Sequence, residues 1–290
     1  FAAGLLDPVA IRDFLSYAFH NWQTPPAYVL LLGDGDYDFR NIISDNDKNW
    51  IPPYIYGSDI ATDDWYTYIS GDDYLPDLSI GRITARSSRD AGVAVEKIRN
   101  YITRLNPGTW KTFFTVVADD EKADSGNENQ TRHTRTSEYI AENIVPERLQ
   151  TEKIYLTEYD EVYTGSGRRK PKANQVLLKR INQGTIFCNY IGHSNQDLWA
   201  HEWVFKKDVD LASLFNRDKL PLIYSASCAF ARYDQPDKNS FSEEVLLKQD
   251  GGALAVIAAS CWETRSYASP SHHMQHHSPH SLRTRSGPWS

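Results

Sequence analysis

The sequence predicts an α/β fold, with mostly parallel sheet and helices on both faces. Short runs of β-branched and aromatic residues alternate with stretches of helical spacing from about residue 7 to residue 259. Turn signals such as Asn106-Pro107-Gly108 punctuate the alternation without any repeat of 20–50 residues. Two of the apolar runs, Thr185–Ile191 and Leu222–Ala226, flank a segment of helical spacing, which is the pattern of a parallel βαβ unit.

Each element follows from its own residues. From Asp7 to about Trp22, Val9, Ile11, Phe14, Leu15 and Ala18 form a helical stripe, entered through Asp7 as cap and Pro8 as first helical residue. Tyr28–Leu32 is a buried strand that ends in the polar run Gly33-Asp34-Gly35-Asp36-Tyr37-Asp38, and a turn-rich loop follows to Ile60. Trp65–Ser70 reads as a short strand, and Leu78–Ile83 as a buried one. Ser87 caps a helix to about Leu105. Beyond Asn106-Pro107-Gly108 the sequence predicts strands at Thr112–Ala118, Lys153–Thr157, Thr185–Ile191, Leu222–Ala226 and Gly252–Ala259. Helices are expected at about Arg132–Ile144, Ala173–Asn182 and Asp208–Phe215, and at Ser240–Lys248, where Glu243 completes a capping box. Residues 1–106 therefore read as a first subdomain and 107–262 as a second. Residues 263–290 contain five of the nine histidines and little apolar periodicity. That abrupt change reads as disorder or a sequence artefact rather than a His-rich metal tract.

Composition narrows the function. The 290 residues are 40% hydrophobic and 24% charged, ordinary for a globular protein, and the net charge of −7 favours neither nucleic acid nor an anionic membrane as partner. No stretch reads as a membrane span or signal peptide. The chain starts at Phe1 and reads as a piece of a longer protein with further domains. Three cysteines, Cys188, Cys228 and Cys261, cannot all pair and lack metal-site spacing.

The chemistry concentrates at two strand ends. One strand stops at Gly192-His193 and the other at Ser227-Cys228, so a parallel pairing would bring His193 and Cys228 to one edge of the sheet. A thiolate nucleophile and an imidazole base require that arrangement. Cys188 lies within its strand and Cys261 has no partner motif, so both read as structural. Trp199, Glu202 and Tyr224 lie near the pair in sequence and are candidates for a substrate pocket, although a core or surface role suits each as well. Asp34, Asp36 and Asp38 alternate after a strand. They are either oxygen ligands for a structural Ca²⁺ or self-capping turn residues. The same run resembles the start of an aspartate-nucleophile phosphatase. Asp38 stands where that class needs Thr or Val, however, and no downstream Lys and acidic pair is evident.

Gly192-His193-Ser194-Asn195 after an apolar strand, followed by Ser225-Ala226-Ser227-Cys228-Ala229-Phe230, resembles the gingipain family of cysteine peptidases. Trp199-Ala200-His201-Glu202, Phe241-Ser242-Glu243-Glu244 before Gly251-Gly252-Ala253, Leu31 to Asp38 and Leu75 to Ile83 fit the same family, over about residues 5–262. The resemblance implies two side-by-side caspase-like subdomains, the second catalytic. It implies a cysteine endopeptidase acting on polypeptides through an acyl-enzyme, with Cys228 as nucleophile and His193 as general base and acid. Asp77, before the Ile-Gly-Arg strand, would orient His193. Backbone N–H groups of Cys228 and Ser194 would form the oxyanion hole, with Ser194 replacing a residue that is commonly Gly. No cofactor is required for this chemistry. The resemblance also implies structural Ca²⁺, a bacterial extracellular or outer-membrane location, and a sorting or transpeptidase role in type IX secretion. A non-catalytic caspase-like binding or scaffold domain is the alternative.

Overall fold

A computed structural model describes residues 4–43, 49–57, 60–104, 107–122 and 131–261. The predicted tail, 263–290, lies outside the described residues, as does Asn106 of the expected boundary. Helix α1 (Pro8–Asn21) starts as its sequence requires: the Asp7 carboxylate accepts the Val9 N–H at 2.9 Å and Pro8 occupies the first turn. Strand β1 (Tyr28–Leu32) precedes a small antiparallel pair, β2 (Tyr54–Tyr56) and β3 (Ile60–Thr62). The expected strand at Trp65–Ser70 is instead a 3-10 turn over Asp64–Thr67, in which Tyr66 is buried and Trp65 stacks on Tyr54 at 3.8 Å. Strand β4 (Ser79–Ile83) then pairs parallel with β1. Helix α2 (Ser88–Thr103) follows, and the Ser87 hydroxyl accepts the Asp90 N–H at its start.

The second half is one five-stranded parallel sheet. Its strands are β5 (Phe113–Ala118), β6 (Gln150–Tyr155), β9 (Phe187–Ile191), β13 (Leu222–Ala226) and β14 (Ala255–Ala258), in the spatial order β14-β13-β9-β5-β6. Helix α3 (Arg132–Asn143) links β5 to β6. A hairpin of β7 (Val162–Thr164) and β8 (Gly167–Arg169) leads into α4 (Pro171–Gln183), which returns the chain to β9. Between β9 and β13 the chain forms a three-stranded antiparallel ribbon: β10 (Ser194–Asn195), β11 (Leu198–Trp199) and β12 (Phe205–Lys206). Only a short helix, α5 (Lys207–Asp210), and a 3-10 turn remain of the expected Asp208–Phe215 helix. Helix α6 (Phe241–Leu247) carries the predicted capping box of Ser240 and Glu243.

The main core lies between this sheet and its helices, around Val117, Ile154, Leu177, Tyr190, Trp199, Phe205, Ile223, Phe230 and Phe241. A smaller core under α1 holds Leu15, Leu31, Tyr66 and Leu78. Lys97 of α2 crosses between the halves. Its buried ammonium donates to the carbonyls of Leu246 at 2.7 Å and Gly251 at 3.0 Å, supplying donors that the end of α6 would otherwise lack.

The strand order fixes where chemistry belongs. The chain leaves β5 toward β6 on one side, then returns to place β9 on the other. The carboxyl ends of β5 and β9 therefore form the topological switch point, where open α/β sheets leave a crevice.

Candidate active site

Three loops meet at that edge: Asp119 to Glu121 after β5, Gly192 to Ser194 after β9, and Ser227 to Ala229 after β13. Adjacent parallel strands β9 and β13 pair in register up to Ile191 with Ala226, so His193 and Cys228 each lie two residues past the last pair. The sequence expectation for their placement is met.

The His193 backbone is tied on three sides. Its N–H donates to Asp119 Oδ2 at 2.9 Å, and its carbonyl accepts the Tyr190 hydroxyl at 2.6 Å and the Ala200 N–H at 2.8 Å. Gly192 makes this close approach feasible, because a Cβ there would sit 2.4 Å from both Asp119 Cβ and the Tyr190 oxygen. The His193 side chain is exposed between two other imidazoles. His133 of α3 stands edge-on to it at 5.4 Å and His201 lies at 5.3 Å. Glu121, buried and with φ +57, accepts the His133 N–H and lies 3.6 Å from its Nδ1. Burial pushes the His133 imidazole down from its usual value, while Glu121 and Asp119 oppose that shift.

Cys228 is half-buried. Behind it Ala229 takes the left-handed conformation, φ +51, so the chain turns sharply at the thiol. The Ser194 hydroxyl donates to the Cys228 carbonyl at 2.5 Å and thereby joins the two loops. Ser194 is not among the positive-φ residues, so a side chain at this position brings no backbone strain. Among the described residues the Cys228 N–H meets no acceptor. In the β10–β11 ribbon Ala200 N–H bonds to the His193 carbonyl, which makes Ser194–Trp199 a non-hydrogen-bonded pair and turns the Ser194 N–H away from β11.

Other candidates fall elsewhere. Asp77 closes a turn before β4, where its carboxylate accepts the N–H groups of Ile69 at 3.0 Å and Ser70 at 2.8 Å. The charged and aromatic groups found against His193 come instead from Asp119, His133 and His201. Trp199 is wholly buried, stacked on Tyr190 at 4.3 Å, and belongs to the core. Glu202 is also buried, in an ion pair with Arg168. Tyr224 is partly exposed in the middle of β13, two residues before that strand ends.

The Asp34, Asp36 and Asp38 run does not fit a Ca²⁺ cage. Asp34 pairs with Arg86 at 2.5 Å, Asp36 accepts the Asp38 N–H, and Asp38 accepts the N–H groups of Ile42 and Ile43. Among the described residues the carboxylates that do cluster are Asp119, Asp120 and Glu202. Arg168 reaches both Asp120 and Glu202, and Lys170 reaches Asp120, so two cations already occupy that cluster.

Asp119, Glu121 and His133 were missed in the sequence. A signal existed for the first two, since they follow directly on a predicted strand, as His193 and Cys228 do.

Comparison with known proteins identifies the family and the fold. Residues 1–285 match the family model described as Peptidase family C25. Gingipain R2 of Porphyromonas gingivalis is 26% identical over 271 residues, which cover 90% of this chain and 32% of that protein. Gingipain R1 of the same organism is 26% identical over 271 residues, 24% of its length. The chain thus spans about a third or less of these relatives. The crystal structure of the Arg-specific cysteine proteinase gingipain R superposes with a TM-score of 0.70 at 21% identity, covering 91% of this chain and 55% of the other. The complex of Porphyromonas gingivalis RgpB pro- and mature domains gives 0.67 at 22% identity, with 91% and 56% covered.

Proposed function

Because the chain belongs to peptidase family C25, we propose that it is a cysteine endopeptidase whose nucleophile is Cys228 and whose general base and acid is His193. The observation that carries this reading is the convergence of the two residues at the ends of neighbouring parallel strands, tied together by Ser194.

In this reading His193 takes the Cys228 thiol proton, the sulfur attacks the scissile carbonyl, and the developing oxyanion takes the N–H groups of Cys228 and Ser194. His193 protonates the leaving amine, which leaves a thioester. His193 then removes a proton from water, and hydroxide releases the acid. Asp119 fixes the His193 main chain, and Glu121 holds His133 against the imidazole; these carboxylates take the orienting role expected of Asp77. An amine entering in place of water would give transpeptidation, the chemistry of a sorting role in type IX secretion. An extracellular or outer-membrane location belongs to the same proposal. No helix among the described residues is long and apolar enough to cross a membrane.

The test is cleavage of a mixed peptide library by the purified chain under reducing conditions, beside Cys228→Ala and His193→Ala. Cleavage by the parent and its loss in both variants is the expected result, and the products report the P1 residue. A folded parent that cleaves nothing would favour a binding domain. Adding an amine nucleophile and weighing the products separates hydrolysis from transpeptidation.

A further inference from the structure

The loop that carries the nucleophile, residues 228–234, is held from two directions. Its start pairs with the segment after β14: the Ala229 N–H donates to the Cys261 carbonyl at 2.8 Å and the Ala231 N–H to the Ala259 carbonyl at 2.9 Å, an antiparallel pattern. Its end is held by the first half of the chain. The Tyr37 N–H donates to the Asp234 carbonyl at 3.0 Å, and the Tyr233 hydroxyl donates to Asp63 Oδ1 at 3.1 Å. The segment after β14 is tied to the same half, because the Ser260 hydroxyl donates to the Ala61 carbonyl of β3.

The Tyr233 bond has a built support. Asp63 directly follows β3, and Arg82 of β4 grips its carboxylate as a two-point fork, Nε to Oδ2 at 2.7 Å and Nη2 to Oδ1 at 2.7 Å. Such a fork sets direction as well as distance. Arg82 Nη1 donates to the carbonyls of Gly33 at 3.0 Å and Ile51 at 2.8 Å, which anchors the guanidinium to the main chain of the first half. Little of either side chain meets water, 5% for Arg82 and 14% for Asp63. The Tyr233 ring lies against the same guanidinium, with Cζ 5.0 Å from its centroid. One ion pair therefore locates Tyr233 by both its ring and its hydroxyl.

We propose that Asp63 and Tyr233 are positioning residues for the reaction: the Asp63 carboxylate, aimed by Arg82, holds the Tyr233 hydroxyl and so fixes the loop that carries Cys228. The first half of the chain thereby acts on catalysis through Tyr233. The inference rests on the reading of Cys228 as nucleophile. A loop released at Tyr233 samples more thiol positions, and fewer of them align with His193 and the scissile carbonyl. Turnover then falls while substrate binding is kept.

The test is Tyr233→Phe, which removes the hydroxyl and leaves the ring on Arg82. Steady-state kinetics on a cleaved peptide, corrected for the folded fraction by circular dichroism, should show kcat lower by about fivefold at unchanged KM, the rate equivalent of one hydrogen bond. Alkylation of Cys228 by iodoacetamide, mapped by mass, should slow as well, because the same misplacement separates the thiol from its base. Asp63→Asn should act in the same direction, and the double variant should fall no further than the lower single variant. Where Asp63→Asn fails to fold, Tyr233→Phe decides alone. An unchanged kcat in Tyr233→Phe would overturn the proposal, as would a loss that vanishes on correction for folded protein. Additive losses, or a raised KM at constant kcat, would overturn it too. If the parent cleaves no peptide, alkylation decides: a slower rate at Cys228 in Tyr233→Phe keeps the positioning and removes the peptidase reading, and an equal or faster rate removes the positioning.

Discussion

Ser194 brings a hydroxyl to a position where a glycine would serve the backbone equally well. Its side chain is buried, and its 2.5 Å bond to the Cys228 carbonyl fixes the peptide unit behind the thiol. That peptide leads directly into Ala229, whose left-handed conformation sets the direction of the turn. Loss of one such bond is worth about 0.5–1.5 kcal/mol. Applied to the position of a nucleophile, the upper end of that range is about a tenfold change in rate. Ser194→Gly should therefore lower kcat by up to about tenfold with KM little changed, because the hydroxyl positions the thiol and does not hold substrate. Steady-state kinetics on a cleaved peptide check this. A rise in KM at constant kcat would instead place Ser194 in the binding surface.

At the scale of elements, the site depends on how closely β5 and β9 approach at the switch point. Gly192 is the contact: the missing Cβ leaves room for the Asp119 carboxylate to reach the His193 N–H and for the Tyr190 hydroxyl to reach its carbonyl. Gly192→Ala forces both loops apart. Overpacking of this kind costs about 1–3 kcal/mol, read as a lower urea midpoint at unchanged slope, and activity should fall with it. Elements of this kind were legible in the sequence where a single periodicity ran long enough. Strands β1, β9 and β13, helix α2 and the α6 capping box all stand close to where their residues predict. The ribbon of β10, β11 and β12 was not legible, because two-residue strands are shorter than any alternation that could announce them. Trp65–Ser70 misled for a related reason: its aromatic residues suit a strand, but Tyr66 is consumed by the small core and the backbone closes into a 3-10 turn. His193 and Cys228 were readable from their strand ends. His133 was not, since only the packing of α3 against the sheet brings a helical histidine to the site.

Across the whole molecule, buried charge sets how stability responds to pH. Asp119, Asp120 and Glu202 are gathered beneath the His193 loop, and Arg168 and Lys170 are the cations that reach them. Burial, with Asp119 and Asp120 nearby, pushes Glu202 up to about 8 from an unfolded value of 4.5. The folded chain thus holds a proton that the unfolded chain releases above pH 4.5. Stability from this group is fully present below pH 4.5 and is lost progressively as pH rises through about 8. Glu243 has the same sign, since burial and Asp34 raise it to about 8 as well. Glu202→Gln mimics the protonated side chain at every pH. Thermal unfolding of parent and variant between pH 5 and pH 9 should show the variant gaining relative stability with rising pH, by about 1.4 kcal/mol per unit at most. The remaining slope belongs to Glu243 and the other titrating groups. Parallel curves would mean that Glu202 is already ionised at pH 5 and that its pairing with Arg168 outweighs the neighbouring carboxylates.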